Sequence, residues 1–415
     1  MEQFTMNTVY EVLSKLQKSF EKFSLEAEKV GLEHLFGRYT SEDVILQEDI
    51  PCFDRALIDG YALISGDTFG LGEGNNKPFS QVGQCEVGQE CEINLGPNEC
   101  VYISSGAMIP LNADAVVPIE DIELTGPGEV LINRFIDRWE NVIRKGDDLK
   151  TGEVLIKEGT RLGVREMGAL AGSGIGHVNV IKKIRAAVIS TGEELVQPYS
   201  TIIKPGKVRD INSHMICDAL KSFGVVPINM GIAGDDSRKM EEIIADSLET
   251  ADLIIISGGS SKGTMDKTYS VIKRINGGEI ITNKIGIEPG RDTIIAKCGD
   301  KAIFGLPGNP ISVLLTLHIL VRPLILWMNK SQPRNLSIRA VCTENYKSSI
   351  GREEYVLVNL DMNDNEFTAS PILHKKGFIT SMIKGNAYVK IRASDEGIKR
   401  GQEIEVVVMQ NHVLF

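Results

Sequence analysis

The sequence lacks the long apolar runs that mark exported and membrane-spanning proteins. Its first residues, MEQFTMNTVYEVL, hold no apolar signal core. The most apolar stretch, 311–328, is interrupted by His318, Arg322 and Pro323. It directly follows a predicted strand and turn, so we expect a buried helix there rather than a membrane span. These absences favour a cytoplasmic protein.

A CxxC motif and an excess of positive charge are also missing. The seven cysteines are scattered, odd in number and without a CxxC pair, which is typical of a reducing compartment and disfavours a zinc or iron–sulfur site. The net charge of −11 argues against a nucleic acid or an anionic membrane as the main partner. A local basic pocket for a small anion is compatible with this charge.

The chain does have ample length and an ordinary globular composition. Its 415 residues, 42% of them hydrophobic and 24% charged, are enough for several domains with buried cores. The organising stretch begins at 252–256, an isoleucine-rich run that predicts a strand buried on both faces. The turn SGGSS at 257–261 follows, and then a helix from about Asp266. This order of elements offers free backbone N–H groups to an anion such as phosphate.

A second turn of this kind comes later in the chain. Residues 302–306 predict a strand, PGNP at 307–310 is a rigid turn, and an apolar helix starts behind it. Gly-Gly and Pro-Gly turns are common after strands, and most of them bind nothing. Two of them at the carboxyl ends of strands in one sheet nevertheless favour a crevice for a phosphorylated ligand.

Strands and helices alternate through this half of the chain. RAAVIS at 185–190 and the run 225–231 predict strands, and a helix capped by Asn212 and Ser213 lies between them. A further helix is capped around residues 234–237. The alternation predicts a doubly wound, mostly parallel sheet.

Three acids fall just past the predicted strand ends: Glu194, Asp235 and Asp266. Beside two anion-binding turns they indicate a divalent cation that bridges to phosphate. The alternative is helix N-capping, which explains Asp235 well but Glu194 poorly.

The rest of the chain reads as smaller units. An amino-terminal helix (Val9 to Phe20) is followed by a second one through Leu25, and another helix is predicted at 164–172. Short β-like runs from 51 to about 143 predict an inserted β domain, and similar runs after 330 predict a small terminal one. In the insert, Asp59 precedes Gly60, which taken alone is most simply an Asp-Gly turn.

Six motifs in order resemble the molybdopterin molybdenumtransferase family, that of bacterial MoeA and the gephyrin E domain. They are FDRALIDGYAL, SSGAMIP, IRKGDDLKTG, ISTGEEL, SGGSSKGTMD and GLPGNP. The resemblance covers essentially the whole chain. It implies an α/β multidomain homodimer with a doubly wound, mostly parallel sheet domain, a β-barrel-like insert, a dimerising domain and a carboxyl-terminal β-barrel. The implied ranges are 27–50 with 145–180 (dimerising), 51–144 (insert), 1–26 with 181–329 (molybdopterin-binding) and 330–415 (terminal barrel).

The resemblance also implies roles for individual residues. The family's functional acids match Asp59, Asp148, Glu194, Asp235 and Asp266, of which Glu194, Asp235 and Asp266 would hold a divalent cation such as Mg²⁺. The family's pocket lysine matches Lys284, and its turn threonine is Ser105. Ligand-binding turns would comprise Ser257, Gly258, Gly259, Ser261, Pro307, Gly308, Asn309 and Pro310.

The departures from the family pattern gather at the implied molybdate site. The usual KPGKP segment is Glu288-Pro289-Gly290-Arg291-Asp292. An arginine and a serine expected in the last domain are Leu357 and Lys376. By resemblance, Arg291 and Lys376 are the cations left to hold an oxyanion.

The resemblance therefore implies Mg²⁺-dependent insertion of molybdenum, from molybdate, into adenylylated molybdopterin with release of AMP. One alternative is a paralogue that binds or hydrolyses adenylylated molybdopterin without inserting molybdenum, or that uses another oxyanion such as tungstate. Another is a non-catalytic scaffold of the same fold, although a scaffold is expected to have lost the acids as well. Neither nucleic acid nor membrane is an expected partner.

Overall fold

The computed structural model describes residues 6–72, 74–234, 236–258, 262–363, 365–372 and 379–409, with the backbone alone at 262–265. It confirms the predicted α/β multidomain fold, because a mixed α/β sheet, an inserted sheet and a closed terminal barrel are all present.

The first part of the chain is mainly β-structure. Short 3₁₀ turns occur at Leu32–His34, Ser65–Thr68 and Ile119–Asp121. The helices and strands are, in order, α1 (Val9–Ser19), β1 (Ala27–Gly31), β2 (Val44–Ile45), β3 (Arg55–Ala56), β4 (Gly60–Leu63), β5 (Lys77–Cys85), β6 (Glu99–Ile103), β7 (Ala115–Pro118), β8 (Ile122–Gly126), β9 (Glu129–Ile132), β10 (Val142–Ile143), β11 (Val154–Ile156), α2 (Val164–Gly172) and β12 (His177–Ile181).

The middle part alternates strands and helices. Its elements are β13 (Arg185–Ser190), β14 (Leu195–Val196), β15 (Val208–Arg209), α3 (Asn212–Ser222), β16 (Val226–Ile232), α4 (Ser237–Thr250), β17 (Leu253–Ser257), α5 (Lys262–Arg274), β18 (Gly278–Thr282), β19 (Ile287–Glu288), β20 (Ile294–Cys298), β21 (Lys301–Leu306), α6 (Pro310–Thr316) and, after a π-helical turn at Leu317–Val321, α7 (Arg322–Met328).

The last part returns to β-structure. Its elements are β22 (Ser337–Cys342), β23 (Tyr346–Lys347), β24 (Glu353–Asn363), β25 (Glu366–Pro371), α8 (Ile379–Lys384), β26 (Ala387–Ile391), β27 (Gly397–Ile398) and β28 (Glu403–Val408).

The central sheet has the strand order β16-β13-β17-β21-β20-β18. The first four strands are parallel, and β20 and β18 continue the sheet in antiparallel pairing. Successive residues of β17 point to opposite faces, so Leu253 and Ile255 enter one core whereas Ile254 and Ile256 enter the other. Helices α1, α3 and α6 cover the first face and α4 and α5 the second, which is the doubly wound arrangement predicted from the alternation.

Two of the predicted helices differ from the structure. The second helix through Leu25 is wrong, because the chain turns after α1 and then forms β1, which pairs antiparallel with β12. The predicted helix start near Asp266 is also wrong, since α5 begins at Lys262 and places Asp266 in its second turn. In the first case the pairing of β1 with β12 overrides the local helical spacing. In the second case Ser261, directly before Lys262, is a residue type that favours a helix start and was passed over in the sequence.

The apolar stretch near residue 311 is a buried helix, as predicted. A helix over Pro310–Met328 is apolar enough to span a membrane, and 67% of its most apolar window is buried inside the protein. His318 packs edge-on against Phe223 at 5.4 Å between ring centroids. Burial, and next the Arg322 guanidinium, lower the pKa of His318 to about 4, so this side chain is neutral at pH 7.

The remaining sheets are smaller. Strands β7-β4-β6-β5-β9-β8 form the inserted sheet. Strands β1 and β2 pair with β12 and β11, which joins two segments distant in sequence. In the terminal barrel, the sheet β24-β25-β22-β28-β26 closes through β24 and β26, and β19 adds to it parallel to β24. The exact domain boundaries remain predictions.

The packing of α1 gives a first testable prediction. Leu16 is fully buried in the core that α1 shares with the central sheet, whereas Tyr10 on the same helix is 80% exposed. We expect Leu16→Ala to lower the free energy of unfolding by about 2–5 kcal/mol, because it leaves a cavity. Tyr10→Ala should change it by less than about 0.5 kcal/mol. Urea unfolding followed by circular dichroism measures both; equal effects would show that α1 is not anchored through Leu16.

Candidate active site

The strand ends from which the two predicted anion-binding turns start lie side by side. Strands β17 and β21 are parallel neighbours, and Ser257 is in register with Leu306. The backbone N–H of Gly258 donates to the carbonyl of Leu306 at 3.1 Å. The turns that follow Ser257 and Leu306 therefore open at one edge of the sheet, which is the placement predicted from the two strand–turn patterns.

Asn212, at the start of α3, links these turns. Its Nδ2 donates to the Ser257 hydroxyl at 2.8 Å and to the Gly308 carbonyl at 2.9 Å. The side chain is 9% exposed. The sequence predicted Asn212 and Ser213 only as caps of a helix. This prediction is wrong, because both are the first residues of the helix itself.

Asp210 completes this polar cluster beneath the crevice. Its carboxylate accepts hydrogen bonds from the Ser190 hydroxyl at 2.7 Å and from the Ser213 N–H at 3.1 Å. It is buried, at 5% exposure. Sequence reasoning missed this residue. The signal that would have found it is an Asp-x-Asn-Ser run (210–213) ahead of a helix in a parallel α/β sheet.

The predicted metal-binding acids follow adjacent strands of this edge. Glu194 comes after β13, and Asp266 follows β17. The carboxylate of Glu194 folds back over its own loop, since a Cβ added at Gly192 would lie 2.6 Å from Glu194 Oε2. Neither Glu194 nor Asp266 makes an ion pair within the described ranges.

The third predicted ligand, Asp235, lies outside the described residues, as do Gly259 and Ser261 of the first turn. Among the residues that are described, no group of three or more His, Cys, Asp or Glu side chains is placed to hold a metal ion. The three-acid cation site thus stays a prediction.

Asp59 and Ser105 meet in the inserted sheet. The Ser105 N–H donates to Asp59 Oδ1 at 2.7 Å, and the Ser105 hydroxyl donates to the Leu57 carbonyl at 3.0 Å. Gly60 must be glycine, because an added Cβ would lie 2.1 Å from the Val117 carbonyl oxygen. Asp59 is exposed, and its carboxylate bonds to Ser105 of the inserted sheet rather than to a residue of the crevice, so its catalytic role stays a prediction.

Asp148 and Lys284 are both exposed. The Asp148 N–H donates to the Ile50 carbonyl at 3.0 Å, and the Lys284 carbonyl accepts from the Thr282 hydroxyl at 3.0 Å. These bonds fix the two backbones and leave both charged groups in solvent. Their predicted roles are likewise untested by the geometry.

The EPGRD segment docks on the terminal barrel. Ile287 and Glu288 form β19, in register with Glu353 and Glu354 of β24. Glu288 lies 3.5 Å from the Arg352 guanidinium. Burial and then the neighbouring carboxylates of Glu354 and Glu288 raise the pKa of the Tyr346 hydroxyl. Glu288 stands where the resemblance implies a lysine, and its negative charge is balanced by the neighbouring Arg352.

Arg291 stays exposed on the same segment. It lines a cavity of about 600 Å³ together with Gly286, Gly351 and Arg352. The Arg291 carbonyl accepts from the Ile285 N–H at 2.9 Å, which closes the loop that carries it. Lys376, the other predicted oxyanion ligand, lies outside the described residues.

Leu357 is part of the barrel core. It is 4% exposed, and a Cβ added at Gly385 would lie 2.2 Å from Leu357 Cγ. The position at which the resemblance implies an arginine is therefore filled by an apolar side chain pressed against a glycine backbone. No room for a guanidinium exists there without repacking.

A larger cleft, of about 1110 Å³, is lined by other residues than those of the crevice. Its walls include Phe223, His318, Arg322 and Tyr388. Burial raises the pKa of the Tyr388 hydroxyl to about 12. None of the predicted site residues lines this cleft.

Three family models match this chain. The MoeA N-terminal region (domain I and II) matches residues 7–174, the probable molybdopterin-binding domain matches 187–327, and the MoeA C-terminal region (domain IV) matches 339–409. The second of these ranges contains both turns of the crevice.

Individual relatives agree with these models. The molybdopterin molybdenumtransferase of Bacillus subtilis is 29% identical over 390 residues, which are 93% of this chain and 90% of that protein. That of Haemophilus influenzae is 27% identical over 413 residues, 99% of this chain and all (100%) of that protein. The crystal structure of a molybdopterin biosynthesis MoeA protein from Pyrococcus horikosii is 36% identical, with a TM-score of 0.83 over 98% of this chain and 100% of that one.

The environment of Leu357 yields a prediction about the barrel. We expect Leu357→Arg to lower the free energy of unfolding by about 3–5 kcal/mol, because it buries a charge without a partner. Leu357→Met, which keeps volume and polarity, should cost less than about 1.5 kcal/mol. Urea unfolding compares the two variants. A Leu357→Arg protein as stable as the parent would show that the barrel does accept an arginine at this position.

Proposed function

Because the chain belongs to the MoeA family of molybdopterin molybdenumtransferases, which act in molybdenum cofactor biosynthesis, we propose that it inserts molybdenum from molybdate into adenylylated molybdopterin. The reaction would depend on Mg²⁺ and release AMP. The observation that carries this proposal is the pair of adjacent turns after β17 and β21, linked by Asn212.

The turns are suited to the phosphates of such a ligand. Both follow buried parallel strands, and a turn between the carboxyl end of such a strand and a helix is a common place for a phosphate group. Ser257, Gly258, Gly308 and Asn309 would contact the pyrophosphate and its neighbours. Asn309 caps the following helix by accepting from the Ile311 and Ser312 N–H groups, which holds the second turn rigid.

The acids fit a hard divalent cation. Oxygen ligands from carboxylates are what Mg²⁺ prefers, and Glu194 and Asp266 are two such groups with no ion-pair partner of their own in the described chain. With Asp235 they would hold the ion beside the turns. When bound, Mg²⁺ supplies positive charge that offsets the charge on the phosphates. The protein's own part is to bring these carboxylates to one edge of the sheet.

A second copy of the chain would complete the site. We infer a cytoplasmic homodimer in which Asp59 reaches the crevice of the other copy, and in which Asp148 and Ser105 belong to the same site. In support, the region predicted to dimerise exposes Phe36 (66%) and Val164 (79%), large apolar side chains that a partner would cover. Lys284 would contact the ligand from the crevice side.

A second candidate function is favoured by the environment of the oxyanion segment. The protein would bind adenylylated molybdopterin and cleave it without inserting molybdenum, or it would use another oxyanion such as tungstate. Leu357 is buried in apolar surroundings, and Arg352 is paired with Glu288. Arg291 and Lys376 are the cations left for a molybdate dianion, which is best held by several fixed positive groups.

The acids provide the test. We expect Glu194→Ala and Asp266→Ala each to lower the rate of Mg²⁺-dependent AMP release from adenylylated molybdopterin by roughly a hundredfold, because an electrostatic element acting on the phosphates is lost. The exposed Glu249→Ala, at the end of α4, is the matched control and should leave the rate unchanged. Quantifying AMP by chromatography measures all three.

The outcomes separate the candidates. Unchanged AMP release in both acid variants would reduce Glu194 and Asp266 to structural roles. AMP release by the parent without molybdenum uptake, measured by elemental analysis after incubation with molybdate or tungstate, would favour the second candidate over the first.

A further inference from the structure

We propose that Asn212 is a positioning residue of the crevice. Its amide nitrogen holds the two turns at one separation for a ligand that must contact both, and its oxygen accepts a hydrogen bond from an N–H group of a bound heterocycle. This inference rests on the proposed function, in that the ligand is taken to span the turns after β17 and β21.

The orientation of the Asn212 amide follows from its partners. The Gly308 carbonyl oxygen can only accept a hydrogen bond, so the atom 2.9 Å from it must be the amide nitrogen. The same nitrogen donates to the Ser257 hydroxyl at 2.8 Å. One NH₂ group thus bonds to both turns, and the separation of Ser257 from Gly308 depends on a single side chain.

The backbone of Asn212 is itself fixed. Two residues before it, Asp210 accepts from Ser190 at the end of β13 and from the Ser213 N–H in the first turn of α3. The start of α3 is therefore bonded to a third strand end of the same sheet edge. Side-chain bonds made from an anchored helix terminus restrict motion more than bonds made from a free loop.

The oxygen of Asn212 has no such partner. Asn212 Oδ1 is buried and accepts no hydrogen bond, one of the few described side-chain atoms in this condition. A buried acceptor without a donor destabilises the protein, and such groups in native structures call for an explanation. A ligand that brings an N–H group would supply the missing donor. Pterin and adenine rings both carry such groups, so the two halves of the proposed ligand are distinguished by experiment.

The test compares Asn212→Ala with the parent for three ligands by calorimetry: adenylylated molybdopterin, AMP and molybdopterin. We expect the affinity for the spanning ligand to fall roughly tenfold or more, because both the link and the acceptor are lost. The fragment whose ring bonds to Oδ1 should share part of this loss, and the other fragment should keep its affinity within about twofold. Ser257→Ala, which removes one of the two bonds, should give an intermediate loss for the spanning ligand.

Asn212→Asp adds a readout that a purely structural role would not produce. An ionised aspartate places a carboxylate oxygen against the Gly308 carbonyl, whereas a protonated one can donate to it. Burial beside a carbonyl raises the pKa of this carboxyl, so affinity for the spanning ligand should increase as the pH falls from 8 towards 5. The amide of the parent does not titrate, so the affinity of the parent for the spanning ligand should not show this increase between pH 8 and pH 5.

The possible results are distinct. No binding of adenylylated molybdopterin by the parent overturns the proposed function and this inference with it. Binding by the parent that persists unchanged in Asn212→Ala overturns the inference alone. Equal loss for all three ligands, together with a lowered melting temperature, would assign Asn212 to fold stability and also overturn it.

Discussion

The candidate site depends on one constraint: three parallel strand ends are held in register at one edge of the sheet. Strands β13, β17 and β21 are adjacent, and their ends are joined by bonds from Thr191 to the Ser257 carbonyl at 2.8 Å and from Gly258 to the Leu306 carbonyl at 3.1 Å. Asn212 then fixes the turns that follow. If this register shifted, the turns, the loop that carries Glu194 and the helix α5 that carries Asp266 would separate together. The apolar cores on both sheet faces are what keep it in place.

The terminal barrel contacts the EPGRD segment, whereas the strand ends that form the crevice belong to the central sheet. Through β19, the EPGRD segment is built into the barrel sheet, so changes in the segment and in the barrel are physically connected. Glu288 pairs with Arg352 and Leu357 fills the barrel core. Both replacements therefore fit their surroundings: the carboxylate of Glu288 has a nearby positive charge, and the side chain of Leu357 lies among apolar residues. This consistency argues that the segment is stably folded in its altered form.

Much of the fold could be predicted from sequence because its patterns are local. The isoleucine-rich strand before SGGSS, the PGNP turn and the alternation from Arg185 onward each predicted an element that the structure contains. The failures have a common cause in tertiary contacts. The segment through Leu25 has helical spacing but leads into β1, whose partner β12 is far along the chain. Asn212 reads as a helix cap until Ser257 and Gly308 are brought beside it. The role of the acids stays a prediction, since Asp235 is not described.

A crystal structure of the protein with adenylylated molybdopterin and Mg²⁺ tests the central claim most directly. The account predicts ligand density across the crevice, with phosphates against the backbone of Gly258 and Gly308 and the ion beside Glu194. Ligand bound instead in the cleft beside Phe223, His318 and Arg322, with the crevice free of it, would contradict the account.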